Sequence, residues 1–213
     1  MNQYISRRKW LKSTTFASFS LPFAASIATD DPKLYRIDSQ EANVIKLSSN
    51  ENPYGPSEQA KAAIVESLSI GNRYPNALKE ELKRELARKE NLTPEHILLA
   101  AGSTEILHIL GNWLTYKNGN YLTTKNTFPI LMMCTEVKGV NWTKIDLDSH
   151  FKVDLNRLEN AINDLTDAVY ICNPNNPTST IVESADLENF CKNCKSHQVL
   201  LIDEAYTNTL KGG

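Results

Sequence analysis

Two polar segments in the second half of the chain combine side chains that could do chemistry together. Residues 173–178 read Asn-Pro-Asn-Asn-Pro-Thr, and residues 203–206 read Asp-Glu-Ala-Tyr. Each segment directly follows a largely apolar run, at 169–172 and 199–202, of the kind that forms a buried strand of a parallel sheet. Because ligands of open parallel sheets bind where the strands end, we expect an amide, a carboxylate and a phenol to converge on one crevice.

These three groups suit an aromatic cofactor that has a ring nitrogen and a phenolic oxygen, such as pyridoxal 5′-phosphate (PLP). A carboxylate from Asp203 opposite the ring nitrogen would keep that nitrogen protonated, because a nearby negative charge favours the charged form. The protonated ring is then a stronger electron sink. Taken alone, Asp203 would be read as a helix cap or a surface acid after a strand, and residues 173–178 could form only a turn.

Four further short strings stand in order ahead of these two segments. They are Asn-Glu-Asn-Pro-Tyr-Gly-Pro at 50–56, Asn-Arg-Tyr-Pro at 72–75, Gly-Ser-Thr-Glu at 102–105 and Thr-Phe at 127–128. Together the six strings resemble the N-terminal half of a fold-type-I PLP-dependent aminotransferase of class I/II, closest to the histidinol-phosphate aminotransferase group. The resemblance covers residues 44–206. It implies an α/β fold, namely the three-layer large domain of that family, incomplete here and preceded by an extended N-terminal arm.

The resemblance also assigns roles around the cofactor ring. Asp203 and Tyr206 are the expected catalytic residues. Asp203 would bind the ring nitrogen, and Asn176 and Tyr206 would donate hydrogen bonds to the phenolic oxygen and so favour its anionic form. Phe128 matches the aromatic residue that stacks on the ring. The alternative for Phe128 is a core side chain on a helix.

Phosphate binding is expected where a predicted strand passes into a predicted helix. Gly102, Ser103 and Thr104 stand at this point, and the free backbone N–H groups and the dipole of a helix start attract phosphate. Gly102 would let the backbone come close to the ligand. The alternative is plain N-capping of the helix by Ser103 or Thr104.

Two residues near the start of the resemblance imply contacts outside this crevice. Tyr74 matches a tyrosine that reaches the cofactor phosphate of the neighbouring subunit, which implies a homodimer. Asn52 lies in the arm segment that approaches the substrate in relatives. The alternative for Asn52 is a turn residue before Pro53.

Hydrophobic periodicity predicts alternating strands and helices, which is the pattern of an α/β sheet. Helices are expected at 59–68, 77–89, 103–114, 128–137, 155–162 and 185–195, the last with Ser184 as its N-cap. Strands are expected at 97–101, 120–123, 140–147, 169–172 and 199–203.

The N-terminus has the three parts of an export signal. The string Ser-Arg-Arg-Lys-Trp-Leu-Lys at 6–12 resembles a twin-arginine motif, and a mildly apolar stretch and a small-residue cleavage site end at Ala28. We expect a signal peptide at 1–28, an arm at 29–56 and a partial PLP-binding large domain at 57–213. The expected location is the periplasm, with no stable membrane span. The alternative is a disordered basic N-terminus on a cytoplasmic protein.

Composition narrows the possible partners. The 213-residue chain has a net charge of −2 and no stripe of Lys and Arg, so we expect no nucleic-acid partner. Cys191 and Cys194 form a lone C-x-x-C pair on a predicted helix. One pair cannot complete a zinc site, so no metal is expected, although an oxidising compartment could pair the two thiols.

We therefore expect PLP-dependent transamination between an amino-acid-like donor, with histidinol phosphate as one candidate, and a 2-oxo acid. Decarboxylation or C–S lysis on the same fold, and an exported non-catalytic binding domain, remain as alternatives. The family's cofactor-binding lysine is expected beyond Gly213, so the chain alone is expected to be an inactive fragment. Ser179 stands where the family usually has glycine, and a positive φ there would be strained.

Overall fold

The computed structural model describes residues 48–207 of the chain. The predicted signal peptide at 1–28 and most of the predicted arm, at 29–47, lie outside the described residues. The chain divides into two compact units, Met1–Asn72 and Arg73–Gly213.

One helix dominates the described part of the first unit. Helix α1 (Glu58–Ser67) begins after Ser57, whose hydroxyl oxygen accepts a hydrogen bond from the Ala60 N–H at 3.2 Å. This N-cap satisfies one of the backbone donors that every helix start leaves without a partner. A 3-10 turn (Leu68–Ile70) follows directly. The helix predicted at 59–68 is confirmed to within one residue at each end.

Four parallel strands form the sheet of the second unit. They are β1 (Asn120–Thr124), β2 (Asn141–Ile145), β3 (Ala168–Cys172) and β4 (Val199–Asp203). Their order across the sheet is β2-β1-β3-β4, and each neighbouring pair is parallel. The register of β3 and β4 places Cys172 opposite Asp203, so these two strands end level at one edge of the sheet. The expected α/β class is confirmed.

Helices cover both faces of this sheet. They are α3 (Ser103–Lys117), α4 (Ile130–Glu136), α5 (Leu155–Ala161) and α6 (Ser184–Asn193). Helix α2 (Asn76–Lys89) precedes them in the chain. Successive residues of a strand point to opposite faces. Tyr170 of β3 accordingly packs in one core cluster with apolar residues of α3 and α4, whereas Val169 and Ile171 pack in a second cluster with residues of α5 and α6. The result is a sheet between two helical layers.

Three predicted elements need correction. The strand predicted at 97–101 is not formed within the described residues: Ile97 has extended dihedral angles, but the segment pairs with no strand there and Leu98 is 71% exposed. The helix predicted to start at Phe128 starts at Ile130, after Pro129, and the strand predicted at 140–147 is confined to β2.

The predicted N-cap of α6 is also wrong. Ser184 is the first residue of the helix, and the N-cap position belongs to Glu183, which makes no side-chain capping bond. A side chain already inside the first turn cannot occupy the cap position. Among residues 48–207, no helix combines the length and the apolar character that crossing a membrane requires.

Candidate active site

Asp203 ends strand β4 and is the best defined group of the candidate site. Its side chain is 7% exposed. One carboxylate oxygen, Oδ1, accepts a hydrogen bond from the backbone N–H of Ala205, and the other, Oδ2, accepts one from the hydroxyl group of Tyr170, both at 3.2 Å. A buried carboxylate needs such donors, because an unsatisfied buried charge is costly. Asp203 is therefore held in a defined orientation.

Tyr170 is a residue that sequence reasoning missed. It lies on β3 with no exposed surface, and burial raises the pKa of its phenol well above the usual value. The hydroxyl group therefore stays protonated and donates to Asp203. A buried tyrosine normally finds a partner for its hydroxyl group. Which group accepts the hydrogen bond from Tyr170 depends on the register between β3 and β4, and a single sequence does not reveal that register.

Asn176 and Tyr206 lie next to each other. They follow β3 and β4, and the Asn176 side-chain amide donates to the Tyr206 hydroxyl oxygen at 3.3 Å. Both side chains are half-buried. Because neighbouring strand ends carry the two residues, their meeting follows from the pairing of β3 with β4.

The turn that carries Asn176 is fixed by its neighbours. Asn173 is buried and bridges the backbone of Val182, donating to its carbonyl at 3.1 Å and accepting from its N–H at 2.8 Å. The Asn173–Pro174 and Asn176–Pro177 peptide bonds are both cis. The turn reading of this segment is thus correct, and the turn also delivers Asn176 to Tyr206.

Asn175 ties this turn to the loop after β1. Its side-chain amide donates to the Asn126 carbonyl and to the Thr178 hydroxyl oxygen, both at 2.8 Å. The side chain of Asn175 is almost fully buried, and it is a second support that the sequence alone does not reveal. The bond to Asn126 fixes the loop on which Phe128 stands.

The start of α3 lies beside Asp203. Ser103, the first residue of the helix, and Asp203 line one cavity of about 180 Å³. Gly102 occupies the N-cap position with φ +82°, and it has no side chain that could occupy the backbone donors of the first turn. Neither Ser103 nor Thr104 is the cap residue, so the N-capping alternative is not what this helix shows. The first turn can therefore offer N–H groups to an anion.

The other predicted residues take separate places. Phe128 is half-buried, packs against the first core cluster and stands in the β1–α4 loop rather than on a helix. Tyr74 is 91% exposed. In the first unit, Asn52 closes a turn by donating to the Gly55 carbonyl and accepting from the Tyr54 N–H, each at 3.0 Å. The turn alternative for Asn52 is therefore observed.

This set of groups fits an aromatic cofactor that carries a ring nitrogen, a phenolic oxygen and a phosphate. An oriented buried carboxylate, a paired amide and phenol, and a glycine-capped helix start are the partners that those three parts require. No group of three or more His, Cys, Asp or Glu side chains within residues 48–207 could hold a metal ion. Cys191 and Cys194 are free, half-buried thiols whose pKa values are raised by burial.

Comparison with known proteins places this geometry in a family. A model of the family described as aminotransferase class I and II matches residues 42–213. The histidinol-phosphate aminotransferase of Caldicellulosiruptor saccharolyticus is 41% identical over 163 residues, which are 76% of this chain and 45% of that protein. The chain thus spans about half the length of the curated relatives that it matches.

Solved structures show the same fold. A protein from Erwinia carotovora atroseptica, provisionally named a histidinol-phosphate aminotransferase, superposes with a TM-score of 0.71 at 28% identity, over 78% of this chain and 49% of that one. The histidinol-phosphate aminotransferase of Sinorhizobium meliloti, solved in complex with PLP, superposes with a TM-score of 0.68 at 22% identity, over 76% and 44%. The second likeness concerns the fold alone.

Proposed function

Because the chain belongs to the class I and II aminotransferase family, we propose that it binds PLP at the ends of β3 and β4 and takes part in amino-group transfer. The donor would be an amino-acid-like compound and the acceptor a 2-oxo acid. The observation that carries the proposal is the meeting of Asn176 with Tyr206 beside the oriented carboxylate of Asp203.

Each part of the site has a definable task. When bound, PLP supplies an electron sink for the bonding electrons of the substrate's α-carbon. Asp203 holds a proton at the ring nitrogen, because an adjacent carboxylate favours the protonated form. Asn176 and Tyr206 turn polar hydrogens toward the phenolic oxygen and favour its anion.

The phosphate would be held by the start of α3. Backbone N–H groups there point outward, and the helix dipole adds a partial positive charge. Gly102 has no side chain, and no protein atom lies within 4 Å of the position that a Cβ would take. The space beside the first turn of α3 is therefore open to a ligand. Ser103 lines the same cavity as Asp203, so one bound ligand would reach both residues.

Histidinol phosphate is the donor that we propose first. This choice is supported by the 41% identity between the chain and the histidinol-phosphate aminotransferase of Caldicellulosiruptor saccharolyticus. The proposed assembly is a homodimer, in which Tyr74 reaches the phosphate site of the partner subunit. The high exposure of Tyr74 supports this role, because an exposed aromatic residue is available for contact with another chain.

The test is a turnover assay with the full-length protein and added PLP. Amino donors, with histidinol phosphate among them, are offered together with a 2-oxo acid, and the new amino acid and the oxo product are quantified. We expect equimolar formation of both products. Release of carbon dioxide would indicate a decarboxylase and release of a thiol a C–S lyase. Failure to bind PLP at all would contradict the proposal.

A further inference from the structure

We propose that Tyr170 is a positioning residue of this site, whose buried hydroxyl group holds the Asp203 carboxylate in the orientation that accepts a hydrogen bond from the ring nitrogen of PLP. The inference rests on the proposed function, because it assigns a further residue to the same site. Tyr170 itself lies in the core and would not touch the cofactor.

The two hydrogen bonds to Asp203 restrain its carboxylate at both oxygens. Tyr170 donates to Oδ2 across the pair of strands, and the backbone N–H of Ala205 donates to Oδ1 from within the following turn, each at 3.2 Å. Each carboxylate oxygen has two lone pairs, so one acceptor site remains on each. Rotation of the carboxylate would break at least one of the two bonds.

The direction of the bond between Tyr170 and Asp203 is fixed by burial. Tyr170 has no exposed surface, and burial raises the pKa of its phenol well above the usual value. A phenol that stays protonated carries the hydrogen of this bond, and the Oδ2 atom of Asp203 accepts it. The nearby thiol of Cys172 donates to the Pro174 carbonyl at 3.3 Å, and burial raises its pKa as well. Cys172 therefore places no second negative charge beside Asp203.

Packing alone does not account for the hydroxyl group at this position. A phenylalanine would fill the same place in the first core cluster without burying a polar atom, and burying a polar atom is unfavourable unless it is hydrogen-bonded. The hydrogen bond to Asp203 offsets the unfavourable free energy of burying the Tyr170 hydroxyl group. The functional gain is a carboxylate that faces the cavity shared with Ser103 before any ligand arrives.

The chain offers a matched control for this assignment. Tyr121 of β1 is as deeply buried as Tyr170 and belongs to the same core cluster. Its hydroxyl group contacts the Thr135 hydroxyl at 2.9 Å and not Asp203, and burial raises the pKa of Tyr121 to about 12. Tyr121→Phe therefore removes an equivalent buried hydroxyl without touching the site.

The experiment compares the two substitutions in the full-length protein. The dissociation constant for PLP, kcat, KM for the amino donor and the melting temperature are measured for each. We expect Tyr170→Phe to weaken PLP binding and lower kcat by about ten-fold each, with KM changed by less than about two-fold, because the lost bond is to a charged group that acts on the cofactor. Tyr121→Phe should lower the melting temperature only.

A double-substitution cycle then tests whether Tyr170 acts through Asp203. In an Asp203→Ala background, Tyr170→Phe should change the PLP dissociation constant by less than about two-fold. An undiminished effect there, or equal effects of the two Tyr→Phe changes on kcat, would overturn the inference and leave the proposed function standing. A wild-type protein that binds no PLP would overturn both.

Discussion

At the residue scale, Asp203 is the side chain whose loss should most affect the proposed chemistry. In the full-length protein, we expect Asp203→Ala to lower kcat by about two orders of magnitude or more, because no group would hold the proton at the ring nitrogen. Asp203→Glu keeps a carboxylate and should be milder. Steady-state kinetics with saturating PLP measures both changes.

The control for this prediction is Asp186→Ala. Asp186 lies exposed in the first turn of α6 and contributes no group to the site. It should retain wild-type kcat. Near-normal turnover of Asp203→Ala would show that the cofactor does not sit against this carboxylate.

Ser179 gives a residue-scale prediction about stability. Its φ is +57°, and its N–H donates to the Asn175 carbonyl at 2.8 Å, so the turn holds a non-glycine residue in the left-handed region. We expect Ser179→Gly to raise the free energy of unfolding by about 1 kcal/mol, since glycine adopts this conformation without a clash. Urea denaturation measures the change. Ser179→Ala keeps the strain and should give no such gain.

The residues at the strand ends could be predicted from the sequence, whereas the residues that hold them in place could not. Asn176, Asp203 and Tyr206 follow apolar runs that are recognisable in one dimension, and their convergence follows from parallel pairing. The bond from Tyr170 to Asp203 depends on the register between β3 and β4, and it joins residues that are 33 positions apart in the chain. Such a register is a tertiary property, so local patterns do not contain it.

At the element scale, strand prediction succeeded where pairing partners lie within the described chain. β3 is flanked on both sides, and its predicted range is correct to within one residue. Residues 97–101 form a short apolar run but pair with no strand among residues 48–207. An apolar run alone does not distinguish a strand from another buried segment, and a strand also needs a ladder of hydrogen bonds to a neighbour.

Asp167 joins three elements and gives an element-scale prediction on pH. Its carboxylate accepts from the Asn120 N–H at the start of β1 at 2.9 Å and from the Lys117 ammonium at the end of α3 at 3.0 Å. The hydrogen bond from Asn120 is the largest cause that lowers the pKa of Asp167 below its usual value. A lowered folded-state pKa stabilises the protein above the unfolded pKa, which is about 4, and that stability is lost as the pH falls through the folded pKa.

We therefore expect Asp167→Asn to reduce the free energy of unfolding by about 1 kcal/mol at pH 7. The difference from wild type should shrink as the pH falls below about 4, because the unfolded wild-type chain then binds a proton at Asp167 before the folded protein does. Urea denaturation at several pH values measures this. Asp186→Asn, which removes an exposed acid, should show no such trend. A difference that stays constant down to pH 2 would rule out the assigned cause.

At the scale of the whole molecule, we propose export of the folded protein through the twin-arginine route. The paired residues Arg7 and Arg8 precede a mildly apolar stretch in the sequence. Residues 1–28 fused to a folded reporter should carry it to the periplasm, and changing both arginines to lysine should block transport. Cell fractionation measures the distribution of the reporter. Equal export of the two fusions would remove the proposed periplasmic location.

The proposed homodimer leads to the most demanding test, which is complementation between two defective chains. We assume that Tyr74 contacts the cofactor in the partner's site. A homodimer of the Tyr74→Ala chain then has two defective sites, and so has a homodimer of the Asp203→Ala chain. In a mixed dimer, the Tyr74→Ala chain supplies an intact Asp203 to one site, and the Asp203→Ala chain supplies an intact Tyr74 to that same site. The other site carries both defects.

When equal amounts of the two variants exchange subunits at random, half of the dimers are mixed, and each mixed dimer has one intact site. The mixture should therefore recover about a quarter of the wild-type number of active sites. The two full-length variants are unfolded and refolded together, and their kcat per chain is compared with the average of the variants refolded separately. Activity equal to that average would show that Tyr74 acts within its own subunit or has no role in the site. Recovery toward a quarter requires that each site be built from two chains, because no rearrangement within one subunit can unite an intact Tyr74 with an intact Asp203.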